Sequence, residues 1–265
     1  MSLLEAKNIT IRFGGLTAVS NFNLTIDDNE LVGLIGPNGA GKTTIFNMLT
    51  GVYKPTEGAI FFDGNRVDGL PTYEINRRKM ARTFQNIRLF GDMTVVENVL
   101  VSCNHATKYN LFDAILRTKK FYDEEALLRE DAIKLLKIFG IDDKADTLAK
   151  NLPYGEQRKL EIVRALASKP KLLLLDEPAA GMNPNETADL ALLIKKIREE
   201  FKIAILLIEH DMKLVMGICD RVAVVSFGKT LVIDKPEVVT QNPKVIEAYL
   251  GTENGGITRE KKIRD

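Results

Sequence analysis

The stretch Gly36-Pro37-Asn38-Gly39-Ala40-Gly41-Lys42-Thr43 decides the fold, because it fits the pattern G-x-x-x-x-G-K-[S/T]. It follows the apolar run Leu31–Ile35 and precedes the apolar-rich segment Thr44–Leu49, which gives the strand, loop and helix order of a phosphate-binding loop. In such a loop the glycines let backbone N–H groups point inward, and the next helix directs its positive N-terminal end at the same place. The sequence therefore predicts a site for the phosphates of a nucleoside triphosphate.

This predicted loop assigns roles to two side chains. Lys42 is expected to reach the β- and γ-phosphates, and the Thr43 hydroxyl is expected to ligate Mg²⁺. The phosphate-binding set extends from Gly36 through Thr44. ATP and Mg²⁺ are thus the predicted cofactors.

The composition is that of an ordinary globular protein: 265 residues, 45% of them hydrophobic and 28% charged. A net charge of +1 gives no support for a nucleic-acid partner or an anionic membrane surface. The two cysteines, Cys103 and Cys219, lie far apart, which argues against a zinc site and a disulfide framework. The N-terminal residues lack the apolar segment of a signal peptide, and no apolar run approaches the roughly 18 residues that span a bilayer. We therefore expect a cytoplasmic protein, for which any membrane role must come through a partner.

The order of strand and helix signals predicts an α/β fold. Residues 3–30 and 58–63 indicate short antiparallel strands, whereas the later apolar runs 172–175, 203–208 and 222–225 are typical of buried parallel strands. Residues 92–168 contain helical patterns and no clear strand. We predict a P-loop NTPase core with a mainly parallel sheet, an N-terminal antiparallel β subdomain and an inserted α-helical subdomain at roughly 86–168. Residues 1–251 would form one domain, followed by a charged tail at 252–265.

Two carboxylates end one of the predicted buried strands. Asp176 and Glu177 follow the run Leu172–Leu175, at a strand end where a phosphate site needs groups that handle metal and water. Asp176 suits a Mg²⁺ ligand, and Glu177 suits a general base that polarises the attacking water. Acidic residues after a strand are also common as capping or solvated groups. The functional interpretation of this pair therefore depends on the phosphate loop predicted beside it.

Two further side chains are candidates for the same site. His210 follows the run Ile203–Ile208, and its imidazole would hydrogen-bond the γ-phosphate. Gln85 lies at the boundary of the helical insertion, where its neutral amide would contact Mg²⁺ or the attacking water. A single histidine or glutamine more often has a structural or surface role, and the predicted position at the sheet edge favours function.

A second helix start resembles an anion-binding end. Leu152-Pro153-Tyr154-Gly155-Glu156-Gln157 precedes a helix with apolar residues at Leu160, Val163 and Ala167. Because the first phosphate site already has its own helix, this end implies contact with a second nucleotide through Tyr154, Gly155 and Glu156. A head-to-tail dimer, in which each subunit closes on the other's ATP, satisfies that requirement.

Together these motifs resemble the ATP-binding subunits of ABC transporters over nearly the whole chain. The matched pieces are the phosphate loop 36–43, Gln85, the signature-like segment 152–157, Asp176-Glu177, the turn 180–183 and His210. The resemblance implies an adenine stacked on Phe13 and ATP-driven dimer closure that moves membrane subunits. The sequence is also similar to the LivG-type subunits of branched-chain amino acid importers. This similarity lies in segments 152–162, 176–184 and 208–216 and in the extended segment around 104–125.

That resemblance also implies partners and a location. The expected partners are two membrane permease subunits, a second ATPase of LivF type or a second copy of this chain, and indirectly a periplasmic or extracellular solute-binding protein, with no nucleic acid. The chain would lie at the cytoplasmic face of the membrane, held there by the permeases. Residues 86–125 are expected to carry the permease contact.

The chain departs from the family's usual signature, Leu-Ser-Gly-Gly-Gln, in two places. Pro153 replaces the serine and Tyr154 replaces the first glycine, while Asn183 stands where an aspartate is usual. Pro153 offers neither a hydroxyl nor a backbone N–H to a γ-phosphate. We therefore expect the two ATP sites of a heterodimer to be unequal.

Three alternatives remain open on the sequence. A soluble ABC-type ATPase uncoupled from transport predicts long heptads, a duplicated cassette or basic tracts, and the sequence contains none. A P-loop GTPase would use Asn65-Arg66-Val67-Asp68 to read guanine, but arginine replaces the lysine of N-K-x-D and a turn near Gly64 explains the segment better. A non-catalytic nucleotide-gated adaptor is opposed by Glu177 and His210.

Overall fold

The computed structural model describes residues 2–103 and 111–250. Its strands are β1 Leu4–Phe13, β2 Leu16–Ile26, β3 Leu31–Ile35, β4 Glu57–Phe62, β5 Asn65–Arg66, β6 Met80–Arg82, β7 Leu172–Asp176, β8 Ala204–Ile208, β9 Arg221–Ser226 and β10 Lys229–Asp234. Its α-helices are α1 Lys42–Leu49, α2 Thr72–Arg77, α3 Val95–Cys103, α4 Leu111–Leu116, α5 Lys119–Ile138, α6 Tyr154–Ala167, α7 Pro184–Phe201, α8 Met212–Ile218, α9 Pro236–Gln241 and α10 Pro243–Leu250.

Two sheets carry the predicted division between antiparallel and parallel strands. The N-terminal sheet has the order β2-β1-β4-β5, and its neighbouring strands are antiparallel. The larger sheet has the order β10-β9-β3-β8-β7-β6, in which only β10 runs antiparallel to its neighbour. The predicted α/β fold with an N-terminal antiparallel sheet is therefore confirmed.

The central strands bury both faces, as their uninterrupted apolar runs predict. In β3, Leu31 and Ile35 belong to one apolar cluster, whereas Val32 and Leu34 belong to the cluster on the other face. The first cluster packs the sheet against the helical layer that includes α3, α5, α6 and α7, and the second packs it against α1 and the N-terminal sheet. Alternation of side chains along each strand fixes both layers at once.

In the described part of the chain between β6 and β7, the regular elements are the helices α3 to α6 and two short 3-10 turns, as expected for the inserted segment. That residues 1–251 form one domain stays a proposal. The predicted tail at 252–265 lies outside the described residues. Both cysteines are free and buried. Within residues 2–103 and 111–250, no helix has the length and apolar character required to cross a membrane.

Candidate active site

The carboxyl ends of three neighbouring strands bring the predicted site residues together. Strand β8 lies between β3, which leads into the phosphate loop, and β7, which ends at Asp176. A cavity of about 510 Å³ opens at this edge. Its lining contains the phosphate-loop residues Asn38, Gly39, Ala40, Gly41, Lys42, Thr43 and Thr44, together with Gln85, Glu177 and His210.

Glycine is required in the phosphate loop for conformation and for space. Gly39 and Gly41 have φ values of 78° and 101°, in the left-handed region that L-residues rarely adopt. At Gly36, a Cβ atom would lie 2.1 Å from the backbone oxygen of Val225. The loop therefore curls tightly against β9 and presents the start of α1 to the cavity.

Lys42 lies inside this loop rather than in solvent. Its side chain is buried, and its Nζ donates hydrogen bonds to the carbonyl oxygens of Gly36 at 2.7 Å and Pro37 at 3.1 Å. Burial lowers the pKa of Lys42, although the nearby carboxylates of Glu177 and Asp176 oppose that change. The ammonium group is thus desolvated at the place where a phosphate anion would stabilise it.

Asp176 is buried, and its position is fixed from both sides. Its Oδ2 accepts a 2.6 Å hydrogen bond from Nη2 of Arg82, and its backbone N–H donates to the Thr83 hydroxyl at 3.3 Å. Arg82 also donates to Oδ1 of Asn47 at 2.7 Å, so one guanidinium connects α1 to the end of β7. No sequence motif indicates this role of Arg82, because its partner lies 94 residues away in the sequence.

Glu177 projects from a strained backbone position into the cavity. Its φ is 48°, a conformation that costs a glutamate of the order of 1–3 kcal/mol and that clusters at functional sites. Its Oε2 accepts a 2.8 Å hydrogen bond from Nε2 of Gln85, and its Oε1 lies 2.7 Å from Nε2 of His210. The structure therefore brings all three predicted catalytic side chains into contact.

Glu209, beside His210, is a further residue that the sequence analysis did not single out. Its buried carboxylate accepts hydrogen bonds from the backbone N–H groups of Ala179 at 2.7 Å and His210 at 3.1 Å. Burial raises the pKa of Glu209, and these two hydrogen bonds oppose that rise. The side chain ties the turn after Glu177 to the end of β8, which sets the direction of His210.

The other predicted nucleotide contacts lie outside this cavity lining. The ring of Phe13 is 45% exposed at the end of β1 and packs edge-on against Tyr53, with 5.3 Å between ring centroids. Leu16 and Thr17, the first residues of β2, line the cavity instead, as does the exposed Phe227.

The signature segment begins α6, and no side chain caps this helix. Tyr154 is exposed, and its ring lies against Gly181, so close that a Cβ atom there would be 3.3 Å from the ring. Gly155 faces the side chain of Glu186, and Glu156 forms an ion pair with Lys144. None of Tyr154, Gly155 and Glu156 lines the cavity at this chain's phosphate loop.

The oxygen groups proposed to hold a metal fit a hard divalent cation. Thr43 supplies a hydroxyl, Gln85 a carboxamide oxygen and Asp176 a carboxylate, which are the donor types that Mg²⁺ prefers. No group of three or more histidine, cysteine, aspartate or glutamate residues suited to a metal occurs within 2–103 and 111–250. Three protein ligands would leave the other half of an octahedral Mg²⁺ shell to water and phosphate.

Comparison with known proteins agrees with this geometry. The profile of the family described as "ABC transporter" matches residues 19–180, and that of "Branched-chain amino acid ATP-binding cassette transporter" matches residues 230–254. The chain is 49% identical to the high-affinity branched-chain amino acid transport ATP-binding protein LivG of Escherichia coli K12 over 249 residues, covering 94% of this chain and 98% of LivG. It is 48% identical to BraF of Pseudomonas aeruginosa, which bears the same description, over the same shares of each chain.

A solved structure supports the same assignment. The ATP-binding cassette MJ1267 of an ABC transporter, in its ADP conformation, superposes with a TM-score of 0.82 at 29% sequence identity, covering 95% of this chain and all of MJ1267. The family profile, the relatives and the fold agree with the phosphate loop and its carboxylates. The chain belongs to the ATP-binding proteins of the ABC transporter family.

Proposed function

We propose that this chain is the ATP-hydrolysing subunit of a membrane importer for branched-chain amino acids. The observation that carries the hydrolytic part is the placement of Glu177 beside the phosphate loop, with Gln85 and His210 on its two carboxylate oxygens. The importer and its solute are proposed from the relatives, which are transport ATP-binding proteins for branched-chain amino acids and align over almost their whole length.

Each side chain has a defined part in the proposed reaction. The backbone N–H groups of residues 39–44 and the Lys42 ammonium would bind the phosphates, with Lys42 exchanging its two carbonyl acceptors for phosphate oxygens. Glu177 would accept the proton of the attacking water, and Gln85 would orient that water. His210 would hydrogen-bond the γ-phosphate while holding the Glu177 carboxylate in place.

Magnesium would be held by Thr43, Asp176 and Gln85. When bound, the ion would neutralise the charge that develops on the β- and γ-phosphates. Arg82 occupies one oxygen of Asp176, which fixes the direction in which the other oxygen points. The protein thereby orients the carboxylate before the cation arrives.

The signature segment would act on another subunit's nucleotide. Its helix start is uncapped by any side chain and lies outside the lining of this chain's cavity. Uncapped backbone N–H groups at a helix start attract anions. In a head-to-tail dimer with a LivF-type ATPase, or with a second copy of this chain, the phosphate of the other subunit's ATP would lie at the start of α6.

The permease would dock in a groove beside Gln85. This permease groove has a volume of about 540 Å³ and lies between the segment 81–90, the end of α3 and one face of α6. Its walls combine aromatic rings with cations: the Arg88 guanidinium lies 4.3 Å from the Phe84 ring centroid, and Arg164 lies 5.1 Å from that of Phe90. A permease loop with apolar side chains and a carboxylate complements such walls. The predicted contact segment 86–125 contributes residues 88–90 and 101–102 to this groove, while its part at 104–110 lies outside the described residues.

The direct test is purification of the tagged chain from its native membrane. The proposal expects two permease subunits and a second ATPase to co-purify, and branched-chain amino acids to stimulate ATP hydrolysis in proteoliposomes that also contain the solute-binding protein. Recovery of the active chain with ribosomes or DNA, and without permeases, would favour the soluble ATPase. Stimulation by a different solute would reject the substrate assignment alone.

A further inference from the structure

Arg158 is a fully buried cation in the second turn of α6, and the reaction as proposed makes no use of it. Its guanidinium donates to the carbonyl oxygens of Phe84 and Gln85, each at 2.7 Å, and approaches that of Glu177 at 3.5 Å. One side chain of the signature helix therefore contacts the backbone of two predicted catalytic residues.

Burial of the Arg158 guanidinium has a free-energy cost, and its contacts have a specific geometry. A buried charge must recover its lost hydration through hydrogen bonds and a counter-ion. Glu161, one turn further along α6, accepts from Arg158 at 2.8 Å and also from the backbone N–H of Phe84 at 3.3 Å. The planar guanidinium makes these bonds from two separate nitrogens: Nη1 donates to Phe84 and Glu161 and Nη2 donates to Gln85, whereas a lysine has only one nitrogen.

The contacts bear on the reaction because Gln85 has no regular structure to hold it. Residues 83–88 lie outside helices and strands, and the Gln85 side chain donates from that loop to the Glu177 carboxylate at 2.8 Å. Arg158 holds the same loop by its backbone. Displacement of this backbone would change the distance between the Gln85 amide and Glu177.

We propose that Arg158 is a positioning residue for ATP hydrolysis, which holds Gln85 beside Glu177 from the signature helix. This inference rests on the proposed function, since it takes Gln85 and Glu177 as hydrolytic residues. The contact between Gln85 and Glu177 would then depend on the position of α6. The positions of Glu161 and Arg164 extend this dependence to the permease groove, which both residues line.

The test is Arg158→Lys in the full-length chain, assayed in the membrane complex in which it is purified. Arg158→Lys keeps the charge, but its single nitrogen cannot occupy both Nη positions, and misplacement of a reacting group by about 1 Å can cost roughly 100-fold. We expect the maximal rate to fall about 10- to 100-fold, with ATP affinity within about twofold of the parent.

A double-mutant cycle separates positioning from general destabilisation. If Arg158 acts through Gln85, then Arg158→Lys in a Gln85→Ala background should lower the rate by less than about twofold further. The matched control is Arg198→Lys in α7, whose guanidinium is bonded to Asp220 away from the site. It should lower the unfolding temperature without changing the rate.

Three outcomes would count against the inference. A rate within twofold of the parent for Arg158→Lys, or for Gln85→Ala, would overturn it, as would equal losses from Arg158→Lys in both backgrounds. Failure of the proposed function is separate, because it would appear as unchanged turnover in Glu177→Gln. Loss of turnover in Glu177→Gln with independent effects of Arg158 and Gln85 would reject the positioning role alone.

Discussion

At the residue scale, Lys42 shows that the phosphate loop favours ligand binding over stability of the free protein. Folding disfavours its charged form, because burial lowers the pKa of Lys42 from 10.5. The free-energy cost is present in full below the lowered pKa and disappears as the pH rises from there to the unfolded value. A bound phosphate reverses this balance by providing an anionic partner.

We therefore predict that Lys42→Met stabilises the nucleotide-free protein. Methionine keeps the apolar stem and removes the desolvated charge, so the unfolding temperature should rise by about 2–4 °C for each 1 kcal/mol regained. Thermal unfolding with and without Mg-ATP measures this, and ATP should stabilise the parent only. Lys171→Met, at an exposed ion pair with Asp63, serves as the control. A lower unfolding temperature in nucleotide-free Lys42→Met would contradict the prediction.

A second prediction at this scale concerns adenine recognition by Phe13. The ring is exposed at the end of β1, one turn from the cavity residues Leu16 and Thr17, and the chain has no tryptophan. Stacking of a base on an aromatic ring is worth about 1–3 kcal/mol in nucleic-acid complexes. Phe13→Ala should weaken ATP binding, measured by fluorescence titration, whereas Phe13→Tyr should not. Parental affinity in Phe13→Ala would leave Phe13 as a packing partner of Tyr53.

Motif spacing identified the residues at the cavity, but not those that hold them. Lys42, Glu177 and His210 follow strand signals, so their place at the sheet edge was predictable from the parallel topology. Arg82 and Arg158 bond groups more than 70 residues away in sequence, and no local pattern indicates such partners. One feature of the sequence does indicate that Arg158 is buried. It lies on the apolar face of α6, four residues before the buried Ile162 and eight before the buried Leu166.

At the element scale, the ends of the long elements follow local sequence rules. Asn183 caps α7 through its side chain, Pro184 is the first helical residue, and Glu186 completes the capping box. Strand β7 begins at the predicted Leu172, while β8 begins at Ala204, one residue after the predicted start. The two-residue β5 has no periodicity to detect, since it exists only through its pairing with β4 after the turn at Gly64.

The permease groove provides a prediction about elements. Phe90 and Val101 line the groove and are exposed, so single cysteines at either position should crosslink to a permease loop in the native complex. The background replaces the buried Cys103 and Cys219 by alanine, and mass spectrometry identifies the partner. Leu192→Cys, exposed on α7 outside the groove, should give no permease crosslink. Crosslinks from Leu192 alone would move the docking surface to the other side of the molecule.

At the scale of the whole molecule, the departures in the signature predict unequal ATP sites. ATP held by Lys42 would be covered by the partner's signature, whereas the partner's ATP would meet Pro153, which has no N–H to donate. Loss of one hydrogen bond to a charged group costs about 1.5–3 kcal/mol, or roughly 10- to 150-fold in rate if it is lost in the transition state. The helix start of α6 and Gly155 remain available to the phosphate.

Separate mutation of the two phosphate-loop lysines in the reconstituted transporter tests this asymmetry. Lys42→Ala should reduce ATP hydrolysis more than the corresponding change in the partner. Single-turnover rates are the deciding quantity, since either mutation would also reduce steady-state hydrolysis if closure of the dimer needs nucleotide at both sites. Two equal single-turnover rates would show that Pro153 and Tyr154 do not weaken the contact.

The central claim is that Glu177 polarises the water that attacks ATP, and Glu177→Gln tests it most directly. Glutamine preserves size and one acceptor but cannot take a proton, and general-base assistance is worth about 10²- to 10⁴-fold. The measurement is the single-turnover rate of the purified complex at saturating Mg-ATP, with ATP affinity determined in parallel. We expect a loss of at least about 10²-fold with affinity within about twofold of the parent. Turnover within twofold of the parent at equal affinity would contradict it.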